Sequence, residues 1–115
     1  MSLQDRRRDR LKRECAPYLG PGEVFEAGFA CCTGQLANKV VVATSSRLLL
    51  LNATQWVVIK VTGLEAELSR DVRFGPPKGA LFPVPATGPN EVVGRAWFFG
   101  VREVDAALEA HGRVE

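Results

Sequence analysis

Three cysteines, one histidine and thirteen acidic side chains are the residues of this 115-residue chain best suited to covalent or metal chemistry. A nucleophile needs a base beside it, and a structural metal needs about four converging ligands. Cys31 and Cys32 are adjacent, so on a strand they point to opposite faces and do not share an ion. His111 is the single histidine and stands near the chain end, where a protonated imidazole suits a helix C-terminus. Glu65, Glu67 and Asp71 lie close together but read as a solvated strand face. Ser45 and Ser46 lack the Gly-x-Ser-x-Gly frame of a nucleophile elbow. "GPPKG" at 75 to 79 lacks the Lys-Ser/Thr and following helix of a phosphate loop. The expectation is a chain that is not an enzyme, with no catalytic set, no cofactor and no metal.

Charge points to one end. Residues 1 to 14 hold Arg6, Arg7, Arg8, Arg10, Lys12 and Arg13 against Asp5, Asp9 and Glu14, while the remainder is nearly balanced. Arg6, Arg7, Arg8 and Arg10 are therefore the candidate contacts for an anionic surface. Nucleic acid is an unfavoured partner, because acids interleave the bases and stacking aromatics are missing there. No apolar run approaches the ~18 residues that span a bilayer, and no apolar core follows the N-terminal charges as in a signal peptide. An odd cysteine count fits a reduced compartment, so a cytoplasmic location is expected.

The elements that position these residues follow from periodicity. Leu11, Cys15, Tyr18 and Leu19 form a narrow apolar stripe, which predicts a helix from residue 4 to about 17, ended by Pro17 and "GPG". From Glu23 the texture becomes that of strands. Val40–Ala43 and Leu48–Leu51 are apolar runs split by Thr44, Ser45, Ser46 and Arg47, which predicts a hairpin whose strands are either buried on both faces or very short and part of a closed barrel. Thr44 is expected to bond turn backbone, and Arg47 to cover the edge of the sheet. Turns are expected at 33–39 and 52–55, strands at 56–61, 64–74 and 80–85, and a break at Gly63. Arg70 shares the apolar parity of 64–74, so either a bulge or turn sits near Ser69 and Arg70 or Arg70 lies at a core edge with its head in water. Residues 91–99 read as a further strand, with Trp97 and Phe99 on one face. Val101, Val104, Leu108 and His111 predict an amphipathic helix over 101–111.

Pro21-Gly22-Glu23, then Thr44-Ser45-Ser46-Arg47-Leu48-Leu49 and the closing helix, resemble the matching pieces of bacterial pleckstrin-homology-like domains. The segment "ELSRDVRFGPPKG" is similar to uncharacterised actinobacterial proteins of that type. The resemblance covers roughly residues 20 to 111. It implies a mainly β fold with flanking helices: a seven-stranded bent barrel capped by the C-terminal helix. The organisation expected is then an N-terminal basic helix over 1–19 and the barrel with its C-terminal helix over 20–115. The family implies no catalytic residues.

Two functions remain in view. The first is a non-catalytic interaction module working through protein contacts, self-association included, with Trp97 and Phe99 as the apolar patch. The second is peripheral attachment to anionic membrane through the basic helix.

Overall fold

The computed structural model describes residues 2–33, 37–55, 59–76, 81–83 and 92–112. Helix α1 spans Leu3–Cys15 and is opened by a reciprocal cap: Ser2 Oγ accepts from the Asp5 amide, and Asp5 accepts from the Ser2 amide. Pro17 sits in a 3-10 turn, Ala16–Tyr18, that ends the helical run. Four longer strands follow: β1 (Phe25–Thr33), β2 (Ala37–Thr44), β3 (Leu48–Gln55) and β4 (Ile59–Leu68). Two three-residue strands, β5 (Leu81–Pro83) and β6 (Val92–Gly94), complete one antiparallel sheet in the order β4-β3-β2-β1-β6-β5. A 3-10 turn at Arg95–Trp97 leads into α2 (Phe98–Gly112).

The architecture is mainly β with a helix at each end, but it is not the expected seven-stranded barrel. Among the described residues six strands are present and no pairing joins β4 to β5, so the sheet is open. The expected turns at 33–39 and 52–55 are partly strand, because β2 and β3 continue their pairing from Lys39↔Asn52 to Asn38↔Ala53. Gly63 does not break the chain. The pairing with β3 instead skips Thr62 and Glu65, two bulges that bend β4 and move its covered residues from Ile59 and Val61 to Ala66 and Leu68. The strand within 64–74 stops at Leu68, and the turn expected near Ser69 and Arg70 follows, closed by Val72 N–H on the Ser69 carbonyl. Arg70 is half-buried in that turn and donates to the Thr44 carbonyl at 3.4 Å. Residues 77–80 of the expected "GPPKG" loop lie outside the described residues, as do 84–90 and 56–58.

The largest correction concerns 91–99. The strand ends at Gly94, so Trp97 and Phe99 do not share a strand face: Trp97 closes the 3-10 turn and Phe99 lies in α2. Phe98, Val101, Val104 and Leu108 recur at helical spacing and are all buried. That period outweighs the β propensity of the aromatic triplet. His111 lies in α2, and its side chain lies outside the described residues.

Covering layers explain the continuous apolar runs. Gly28, Val42 and Leu49 are in register on one face of the sheet, and Phe29, Val41 and Leu50 on the other. The Leu11 side chain of α1 reaches toward Gly28, where an added Cβ would meet it at 3.3 Å. On the other face Phe74 meets Phe29 edge-on, with ring centroids 5.2 Å apart. The amides of Phe74 and Gly75 donate to Asp105 of α2 at 2.9 and 2.8 Å, which holds that cover in place. Leu48 to Leu51 are therefore buried on both sides. Helix α2 approaches β1 so closely that a Cβ on Gly100 would stand 2.2 Å from the Gly28 carbonyl oxygen.

The polar quartet between β2 and β3 is organised around Glu23. Arg47 donates to its carboxylate through Nε at 2.9 Å and Nη2 at 2.6 Å, a bidentate pair. Thr44 Oγ, Ser46 Oγ and the Gly20 amide donate to the same carboxylate. Thr44 Oγ also accepts from the Ser46 and Arg47 amides, as the turn reading expects. Arg47 reaches the Tyr18 carbonyl as well, and so ties the loop before β1 to the hairpin rather than merely covering an edge.

Two stability predictions follow from this packing. Leu108→Ala should cost about 2–4 kcal/mol in chemical denaturation, as for other fully buried leucines. Arg47→Ala should cost about 2–3 kcal/mol, because it strands a carboxylate whose side chain is only 5% exposed. The Arg47 guanidinium, followed by donation from Thr44, holds Glu23 well below the usual carboxylate range. The unfolded chain takes up that proton near pH 4.3, roughly, and the folded chain only far lower. The Glu23 contribution is thus complete above about pH 5 and is lost as pH falls through the ordinary carboxylate value. Denaturation at pH 7 and pH 3 should show this loss in the wild type and a smaller one in Arg47→Ala.

Candidate functional site

The four arginines expected to face an anionic surface separate into two groups. Arg8 turns toward α2, donating to Glu103 through Nε and Nη2 and to Asp5 through Nη1 at 2.8 Å. These hydrogen bonds hold its guanidinium above its ordinary value. Its guanidinium also stands 5.8 Å from the centre of the Phe99 ring. Arg10 turns toward the sheet and donates to the Ile59 carbonyl at 3.2 Å. Both are held by internal contacts. Arg6 is exposed and Arg7 half-buried, and Lys12 and Arg13 are exposed beside them. None of these four side chains has an ion-pair partner among the described residues. The basic surface of α1 is thus smaller than its sequence implies, and it is displaced toward Lys12 and Arg13.

Trp97 and Phe99 do come together, but as a stack and not as a flat patch. Their rings lie 5.8 Å apart at 23°. Trp97 is buried and Phe99 half-buried beneath Arg8. The order Arg8, Phe99, Trp97 is a continuous column from α1 to the end of β6.

At the foot of that column is a half-open cleft of about 240 Å³. Trp97, Ala96, Val92 and Ala30 supply much of its apolar wall, and Cys31, Cys32 and Asn38 also line it. It exists because β6 pairs with β1 only at Cys32↔Val92 before the chain turns away at Gly94. The sequence reading places Trp97 on a strand and so does not predict this cleft. The available signal was Gly94, a break in an otherwise apolar run.

The thiols differ sharply in setting. Cys15 is fully buried beneath α1, and burial, with the Glu14 charge second, pushes its thiol up to about 12. Cys31 is buried, while Cys32 is half-buried and faces the cleft region. Among the described residues no group of three or more His, Cys, Asp or Glu converges to hold a metal. No helix among them is long and apolar enough to cross a membrane.

No family model, curated protein or solved structure matches the chain. The site's chemistry therefore rests on its own geometry.

That geometry predicts unequal thiol reactivity. A chromogenic disulfide reagent at neutral pH should label Cys32 rapidly in the native protein and leave Cys15 unmodified. In denaturant all three cysteines should react. Fast native labelling of Cys15, located by peptide mass, would contradict the packing of α1.

Proposed function

We propose that the chain is a non-catalytic interaction module acting through protein–protein contacts, with the cleft beside Trp97 as its contact surface. The cleft carries the reading. It is walled by tryptophan, the residue type most enriched at interface hot spots, and that tryptophan is stacked on Phe99. Its volume of about 240 Å³ falls below the ~300–1,000 Å³ of drug-sized ligand pockets, which suits one inserted side chain of a partner better than a free metabolite. Cys32 and Asn38 give it two polar points for orientation.

A second reading, peripheral attachment to anionic membrane, is supported by Leu3. This residue is 59% exposed and lies one turn before Arg6 and Arg7. An apolar wedge beside basic side chains is the usual composition of an interfacial helix. The inward turn of Arg8 and Arg10 weighs against it by halving the expected charge.

The deciding measurement uses Ala96→Arg, an exposed substitution at the cleft that leaves the core intact. A partner identified on wild-type protein from the native host, then purified and titrated, should bind this variant at least about tenfold more weakly, the loss of one hot-spot contact. Equal binding to both would remove the cleft from the reading. In parallel, phosphatidylglycerol vesicles should not sediment the wild type at physiological salt. Salt-sensitive sedimentation that is lost on changing Arg6 and Arg7 to Gln would place membrane attachment first.

A further inference from the structure

Strand β4 ends the sheet, so every second residue along it turns a backbone N–H and C=O outward. Two of these groups do not meet solvent. The Val61 N–H donates to Glu14 Oε1 at 2.9 Å, and the Ile59 carbonyl accepts from Arg10 Nε at 3.2 Å. Glu14 and Arg10 are themselves paired at 3.8 Å, one turn apart on α1. The spacing explains why a helix can do this. Four residues of helix rise about 6 Å. Two residues of antiparallel strand advance about 6.8 Å. A donor and an acceptor at i and i+4 on a helix can therefore meet the acceptor and donor at i and i+2 on a strand, as a neighbouring strand would.

We propose that the Arg10–Glu14 pair is an edge guard. It occupies the hydrogen-bonding positions of Ile59 and Val61 and so prevents β4 from pairing antiparallel with β4 of a second copy of the chain. The rest of the edge is protected by other means. Beyond Gly63 a bulge at Glu65 distorts it, and Glu65 and Glu67 are exposed there, whereas Ile59 to Val61 pair regularly with β3 up to the bulge at Thr62. A self-pairing centred on Ala66 would set Glu65 of one copy against Glu67 of the other, and the like charges repel. Centred on Val61, the same pairing sets Lys60 against Thr62 and Ile59 against Gly63, with no like charges opposed. The guard thus stands where charge gives no protection. A second copy is the occupant it excludes, because this stretch is self-complementary in an antiparallel register.

The test is the oligomeric state of Arg10→Ala/Glu14→Ala, which releases α1 from the β4 edge while Leu11 and Cys15 stay in the core. Light scattering coupled to size exclusion should find the wild type monomeric and the double variant doubling its apparent mass as concentration rises. Adding Thr62→Lys to the double variant should restore the monomer, since it sets a lysine against Lys60 of the second copy. If circular dichroism shows the double variant unfolded, Glu14→Ala alone carries the same expectation, with Thr62→Lys as its rescue. A folded variant that stays monomeric at every concentration overturns the proposal. So does association that persists with Thr62→Lys, which would come from exposed core, and so does a wild-type dimer abolished by Thr62→Lys.

Discussion

The Glu23 carboxylate is the point on which the described fold converges. Five donors meet it: two from Arg47, one each from the hydroxyls of Thr44 and Ser46, and the Gly20 amide. They come from the loop after the first helix and from the β2–β3 turn, segments more than twenty residues apart. Arg47 extends the network to the Tyr18 carbonyl and approaches Glu67 of β4 at 3.9 Å. The turn itself is pinned from the same side, since Val24 and Ser45 exchange hydrogen bonds at 3.0 and 2.8 Å. Removing one ion from such a site leaves its partner desolvated and uncompensated, which is the costly case for buried charge. The apolar strands on either side of the turn are thereby held in one register, and a slip by one residue would reverse both of their faces.

Much of this was legible in the residues. Val40–Ala43 and Leu48–Leu51 announced strands buried on both faces, because β-branched and apolar runs of that length have no solvated side. Leu11 and Cys15 announced the packed stripe of the first helix, and Val101, Val104 and Leu108 that of the last. What stayed hidden depended on partners that sequence does not display. Arg10 bonds a backbone carbonyl and Glu14 a backbone amide, and every residue type offers those groups equally. Closure of a sheet depends on register, and the bulges at Thr62 and Glu65 bent β4 where the sequence showed only a glycine. The segment Ala96–Phe99 was ambiguous because three aromatics satisfy a strand locally, while their helical period with Val101 spans a longer window.

The same reasoning explains why the basic helix misled. Six bases in fourteen residues suggest a solvated cationic surface. Yet guanidinium groups carry long apolar stems and five donors, which lets them satisfy acceptors inside a fold. Arg8 does so against Glu103 and the Phe99 ring, and Arg10 against Ile59. Counting charges overestimates the outward field whenever carboxylates and bare carbonyls lie within reach of the same helix.

The contact between Gly100 and the Gly28 carbonyl has a mechanical meaning. Gly100 lies directly against the Gly28 carbonyl and the Phe29 Cβ where α2 crosses β1, so the separation of helix and sheet is set by atoms that no side-chain rotation can move. Trp97 and Phe99 stand three and one residues from that pivot. The backbone that carries Trp97 to the cleft is consequently tied to the seat of α2 on β1: lifting the helix from the strand would carry Val101 and Val104 out of the core with it.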